Sequence, residues 1–152
     1  MSELDHDEIA EMDEALAFLD KDLGSFSEVD LSQIDTLKTT ALEQLGLSES
    51  KLKPIQGKLK DYRFLDEVNG ASMGRFIRWI KIGTPEKMRL TNGGIVIDIK
   101  VDDGGMFAVC KNNRNMIFQV NVANSIIFER MNESELLIKT LYEYSAVNTN
   151  TD

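Results

Sequence analysis

Between Asp61 and Arg130 the chain is broken every few residues by Gly, Asn and Asp. Gly83-Thr84-Pro85-Glu86, Asn92-Gly93-Gly94, Asp102-Asp103-Gly104-Gly105 and Lys111-Asn112-Asn113-Arg114-Asn115 are turn signals. The segments between them alternate with period 2, as strands do. Gly74–Ile82 reads as a strand, and Leu90-Thr91-Asn92-Gly93-Gly94-Ile95 as a hairpin signal. Ile95–Val101 follows, with Ile95, Ile97, Ile99 and Val101 on one face and Val96, Asp98 and Lys100 on the other. Met106–Cys110, Met116–Val122 and Ser125–Glu129 complete the set. Connections this short exclude a parallel sheet, which needs long crossovers. The expected fold class is therefore α+β, with a small antiparallel meander. A strongly curled meander of this size closes into an SH3-like or OB-like barrel, removing its exposed edges. An open meander backed by helices is the alternative.

The first sixty residues follow a helical period. Ile9, Met12, Leu16, Leu19 and Leu23 fall 3 or 4 apart, one apolar stripe on a short acidic helix. A second helix runs from a cap near Asp30 or Ser32 through Ile34, Leu37, Ala41, Leu42 and Leu45 to Gly46. Residues 47–60 read as a turn and a short helix, interrupted by Pro54 and Gly57. A last helix, capped by Asn132 or Ser134, uses Leu137, Leu141 and Tyr144. The expected organisation is an acidic arm over 1–30, a helical segment over 31–60, a β domain with its C-terminal helix over 61–146, and a disordered polar tail over 147–152.

Charge divides along the same boundaries. Residues 1–35 hold twelve acids and one base, net −11, against −9 for the whole chain. Residues 51–114 hold thirteen bases and seven acids, net +6. Such a split is an interaction design. No apolar run reaches the ~20 residues of a membrane span. The start lacks a basic, then apolar, leader. Cys110 is the single cysteine, so no internal disulfide forms. The expected location is intracellular, cytoplasmic or nuclear.

Catalytic signatures are weak. His6 is the one histidine and stands in the acidic arm, with no apolar neighbour to fix it. Cys110 therefore has no base to activate it. Asp98, Asp102, Asp103 and Gly104 imitate a calcium loop, but Lys100 stands where an oxygen ligand is required. Pro85-Glu86 followed by Asp98-Ile99-Lys100 resembles the PD-(D/E)xK nuclease motif, in which two carboxylates hold Mg²⁺ and a lysine assists water. Glu replaces the first Asp, and the strand–helix–strand order of that family is missing. The plain reading is a solvated Asp/Lys face. The expectation is a non-enzymatic chain with no catalytic residues, no bound metal and no cofactor.

Two interaction readings remain. The arm stripe, Ile9, Met12, Leu16, Leu19 and Leu23, can dock in a partner's apolar groove, making the chain an adaptor or assembly protein. The plain reading is that the stripe completes the chain's own core. Alternatively, Arg75, Trp79 and Lys81 share a strand face, with Arg89, Lys100, Lys111 and Arg114 extending it. Tryptophan among cations is how single-strand nucleic acid is stacked and neutralised. The acidic arm would then gate a nucleic-acid-binding barrel. Against this, a single tryptophan usually packs in a core.

The segments Gly74-Arg75-Phe76-Ile77-Arg78-Trp79-Ile80, Leu90-Thr91-Asn92-Gly93-Gly94-Ile95, Cys110-Lys111-Asn112-Asn113 and Ile126-Ile127-Phe128-Glu129-Arg130 are distinctive. Over the second half of the chain they resemble uncharacterised small proteins of large DNA viruses. The resemblance implies a viral origin, and with it a virion as the alternative location, and brings no functional residues with it.

Overall fold

The computed structural model describes residues 28–149. These hold α1 (Glu28–Glu43), α2 (Glu49–Lys58), β1 (Tyr62–Leu65), β2 (Phe76–Lys81), β3 (Gly94–Asp102), β4 (Gly105–Lys111), β5 (Ile117–Asn121), β6 (Ser125–Arg130) and α3 (Glu133–Thr149). The fold is α+β, as expected. The described residues divide into two compact units, one over Ile34–Arg130 and one joining residues 28–33 to 131–149. The acidic helix expected over Ile9–Leu23 lies outside the described residues.

Helix α1 buries Ile34, Lys38, Ala41 and Leu42, with Leu45 just beyond its end. That is one stripe at helical spacing. Leu37 was expected in this stripe but is 45% exposed, and Lys38 holds the inward position. The Lys38 ammonium donates to the carbonyl oxygens of Leu59 and Tyr62, both at 2.9 Å, and of Lys60 at 3.5 Å. These carbonyls follow the end of α2, where a helix leaves acceptors unpaired and a cation is favoured. Gly46, at φ +67°, ends the helical run.

Pro54 and Gly57 do not interrupt α2, contrary to the sequence expectation. Pro54 forfeits one hydrogen bond on a solvent-facing turn. Ile55 and Leu59, on the opposite side, are buried and hold the segment in place.

The strands form one antiparallel sheet in the order β1-β6-β2-β3-β4-β5. It is open, not a closed barrel: β1 and β5 are edges and do not pair with each other. It is also not a simple meander, because β6 returns to lie between β1 and β2. Only the 3₁₀ turn Val122–Asn124 joins β5 to β6. In a flat sheet four strand spacings of about 4.8 Å, roughly 19 Å, would separate these strands. Four extended steps reach about 14 Å at most. The sheet therefore has to curl, bringing the end of β5 round to the start of β6.

Curling gives the sheet two apolar faces. On one, Leu42, Leu45, Ile55 and Leu59 pack with Tyr62, Ile80, Met88 and Phe128. Phe64 meets Phe128 edge to face at 6.2 Å. On the other, Val68, Ile77, Val96, Ala108, Cys110, Val120 and Ile127 form a second core. Each fully buried large side chain contributes about 1.5–3 kcal/mol.

Two β3 expectations are corrected. A bulge between Val96 and Asp98 reverses the alternation. Val96 is buried opposite Cys110, whereas Ile95 and Ile97 are 46% and 41% exposed. Nor do Asn92 and Gly93 make a hairpin turn. Leu90 already pairs with Ile80, and Gly94 with Ile77, so the register slips by one residue between them. Gly93 sits in that slip at φ +87°, where a Cβ would collide with the Ile77 carbonyl oxygen.

In the second unit, Asn132 caps α3, as one of the two expected residues. The Glu135 amide donates to Asn132 Oδ1 at 2.8 Å, and the Asn132 amide to Glu135 Oε1 at 2.9 Å, a capping box. Glu135 is buried, while Leu137 and Tyr144, expected on the apolar stripe, are 43% and 45% exposed. Helix α3 continues to Thr149, three residues into the stretch expected as a tail.

Candidate interaction surface

The proposed arm contacts Ile9, Met12, Leu16, Leu19 and Leu23 lie outside the described residues. The cationic set can be placed. Arg75, just before β2, is half-buried, and its Nη2 lies 3.0 Å from Glu129 Oε1 and 3.0 Å from the Arg130 carbonyl oxygen. Arg63, across the strand pair from Glu129, approaches the same carboxylate oxygen at 3.5 Å. Glu129 itself is only 2% exposed. Arg75 thus serves a buried carboxylate, and its charge is already engaged within the fold. Trp79 pairs with Ile127 and packs against the second core. The face shared by Ile77 and Trp79 is therefore an interior face. Lys81, Arg89, Lys100, Lys111 and Arg114 are exposed, on different strands and loops.

Arg114 takes part in a clear concavity. A cleft of about 470 Å³ is lined by Phe76, Asn92, Gly93, Asn112, Asn113, Arg114, Met116 and Phe118. It gathers the β4–β5 turn and the Asn92-Gly93 segment before β3, which are distant in sequence. Asn112 Oδ1 accepts from the amides of Arg114 and Met116, both at 2.9 Å, which fixes the β4–β5 turn. Asn115 adopts φ +62° there, a conformation that asparagine tolerates.

Beside the cleft runs the edge strand β5. Met116, Ile117 and Phe118 are 52%, 62% and 40% exposed. Ile117 pairs with Lys111, which in turn pairs with Ile95, so one row crosses three strands as Ile95, Lys111 and Ile117. All three are solvent-exposed. Edge strands in soluble proteins are usually blunted by charge, proline or a bulge. The segment Ile117–Asn121 has no charged residue and no proline, and its register with β4 is unbroken. The opposite edge, β1, carries Arg63. This surface was missed in the sequence. Its one signal was Ile117, an apolar residue where the alternation calls for a polar one.

The remaining chemistry is sparse. Cys110 is buried, and desolvation pushes its thiol up from 9.0 to about 11, away from the reactive thiolate. Asp98 and Lys100 are both exposed, and Asp98 Oδ1 accepts from the Ile99 amide at 2.9 Å. Glu86 lies in the β2–β3 connection. Among the described residues, no group of three or more His, Cys, Asp or Glu is placed to hold a metal ion. No described helix is long and apolar enough to cross a membrane. Comparison with protein-family models, with curated proteins and with solved structures finds no match, so the viral resemblance rests on the segments quoted above.

Proposed function

We propose that this chain is a non-enzymatic adaptor or assembly protein acting through protein contacts. The observation that carries this is the β5 edge, where Met116, Ile117 and Phe118 are exposed beside Ile95 and an unblunted strand. Edges of this kind recruit strands, with backbone bonds giving affinity and side chains giving selectivity. The arm stripe Ile9, Met12, Leu16, Leu19 and Leu23 is the second proposed contact element. The curled sheet fits an SH3-like module better than an OB-like one. Its last strand returns through a three-residue link, not the long connection of a Greek key.

The test is affinity capture with the full-length protein, followed by reconstitution with the purified captured protein. The double variant Met116→Ser, Ile117→Ser should weaken the binary complex about tenfold or more, a loss of about 1.4 kcal/mol. Both side chains are at least half exposed, so the melting temperature should hold. Leu16→Glu with Leu19→Glu tests the arm in the same way. A partner retained equally by every variant, or no saturable binary complex, defeats the reading.

One observation favours nucleic acid as a second reading. The cleft combines Phe76 and Phe118 with Arg114 and three asparagine amides, groups that stack bases and meet phosphates. This reading requires salt-sensitive binding of single-stranded DNA or RNA that weakens in Arg114→Glu and strengthens when the acidic arm is removed.

A further inference from the structure

Strand β5 has a backbone side that faces away from the sheet. The Asn112 amide donates to the Met116 carbonyl at 3.0 Å, which sets the phase of the β4–β5 ladder. Antiparallel pairs alternate between bonded and non-bonded. Phe118 and Val120 are therefore bonded to Cys110 and Ala108. The amides and carbonyls of Ile117 and Gln119 and the amide of Asn121 point outward; the Asn121 carbonyl, at the N-cap of the 3₁₀ turn Val122–Asn124, accepts the first bond of that turn. Gln119 is the middle residue of the strand.

Charge at the two ends of this hairpin ladder has opposite sign. Lys111 and Arg114 stand at the β4–β5 turn. Asp102 and Asp103 stand at the β3–β4 turn, the end to which Asn121 also belongs, since Phe107 pairs with Asn121 and Asp102 with Gly105; Lys100, which pairs with Phe107, is the cation at this end, so two acids outnumber one base there. From Gly104 to Phe128 the chain carries Lys111 and Arg114 and no acid. An antiparallel neighbour on β5 would thus receive its best charge match from a strand whose own ends are reversed. A second copy of β5, turned about Gln119, meets that requirement.

We propose that two copies of this chain pair through β5, antiparallel and about a two-fold axis at Gln119. This rests on reading the β5 edge as a protein-contact surface, and names its occupant. Gln119 exchanges two backbone hydrogen bonds with Gln119 of the second copy, and the Ile117 carbonyl accepts from the Asn121 amide of the second copy. Phe118 lies across from Val120 of the second copy, on the inner face. The axis sets the Lys111/Arg114 end of each copy alongside the Asp102/Asp103 end of the other. The interface is isologous, so it closes at two subunits and builds no filament. A five-residue edge buries less than a tight dimer requires, so the expected dissociation constant is about 10–100 µM.

The experiment is sedimentation equilibrium of the full-length protein from about 5 to 300 µM, a range set by that constant. The expected mass rises from 17.1 kDa toward twice that value. Gln119→Pro removes an outward amide and leaves the β4 ladder intact, so it should stay at 17.1 kDa with an unchanged melting temperature. Amide exchange gives a readout that needs no variant. The Gln119 and Asn121 amides should be protected in concentrated solution and exchange freely in dilute solution. A mass of 17.1 kDa throughout overturns the proposal, as does a dimer that Gln119→Pro retains. Protection of these amides in a monomer overturns it too, in favour of an occupant from the same chain. None of these outcomes decides the adaptor reading, which stands or falls on the reconstituted complex of Met116→Ser, Ile117→Ser.

Discussion

Replacing Glu129 by Gln keeps its shape and removes the charge that two arginines share. The Glu129 side chain is 3% exposed, and those of Arg75 and Arg63 are 24% and 29% exposed. Removing one partner of a fully buried ion pair costs about 3–5 kcal/mol, because the remaining charge is stranded. Here both arginines keep a quarter of their surface in water and recover part of that hydration. The expected loss is therefore about 2–3 kcal/mol, or roughly 4–12 °C in melting temperature for a chain of this size. Urea unfolding followed by Trp79 fluorescence is a direct assay, since Trp79 is the only tryptophan and packs in the second core. The midpoint should fall with no change in slope. A loss below about 0.5 kcal/mol would show that the arginines are held by the backbone alone and that the reasoning is wrong. The result also bears on function. Arg75→Glu would set a second carboxylate against Glu129 and destabilise the sheet, so lost nucleic-acid binding in that variant would report unfolding. Arg114, exposed in its turn, is the better probe.

Three other perturbations test separate parts of the fold. Lys38→Met preserves the stem but deserts the carbonyls of Leu59 and Tyr62, and should cost about 2–3 kcal/mol in urea unfolding; a cost under about 1 kcal/mol would mean water replaces the ammonium there. Gly93→Ala forces a side chain into positive φ and against the Ile77 carbonyl. Its expected cost is about 2–4 kcal/mol by thermal denaturation, and an unchanged melting temperature would mean the segment at the register slip relaxes freely. Cys110 gives a pH dependence. Its folded pKa, about 11, lies above its usual 9.0, so between these values the unfolded chain loses the proton first. Stability from this group is complete below pH 9 and declines toward pH 11, by at most about 2–3 kcal/mol. Cys110→Ala should flatten that decline, and an identical alkaline profile in the variant would remove Cys110 as its cause.

Most strands were legible because their turns are explicit. The Asp-Asp-Gly-Gly and Asn-rich turns stand where the chain reverses, and Ile117–Asn121 and Ser125–Arg130 match the expected strands closely. Strand β1 gave no such signal. Tyr62–Leu65 is four residues long and is defined by pairing with β6, more than sixty positions away. Facing was harder to read than position. The bulge after Val96 lets Val96 before it and Ile99 after it both face the second core, leaving Ile95 and Ile97 at the surface, because a one-residue slip reverses every side chain beyond it. Lys38 occupies an inward position because it satisfies carbonyls more than twenty residues on that only the assembled fold brings near, whereas Glu135 turns inward to close a local capping box with Asn132. Arg75 is like Lys38, since its partner Glu129 is fifty-four residues on. Its cationic character was legible, but its commitment was not.

The exposed edge follows from the route of the chain. The last strand, β6, pairs with β1 and β2 instead of turning back on β5, so β5 has one strand neighbour among the described residues. The helices α1 and α2 meet the sheet through Tyr62, Ile80 and Phe128, on β1, β2 and β6. Strands β3, β4 and β5 contribute none of the buried residues in that helix-covered core. Ile95, Ile97 and Ile117 are therefore exposed on that half of the sheet. A closed barrel would have hidden this edge by pairing β5 with β1. An open sheet of the same strands exposes it, so any selection against aggregation has to act on β5 itself. The strand nonetheless keeps a charge-free sequence, Ile-Phe-Gln-Val-Asn, with Lys111 and Arg114 only at its entrance. Either that edge is covered in the working protein, or substituting Lys at Ile117 should raise solubility with no loss of any partner. That substitution separates a used edge from a tolerated one. Improved solubility with all binding intact would remove β5 as a contact surface.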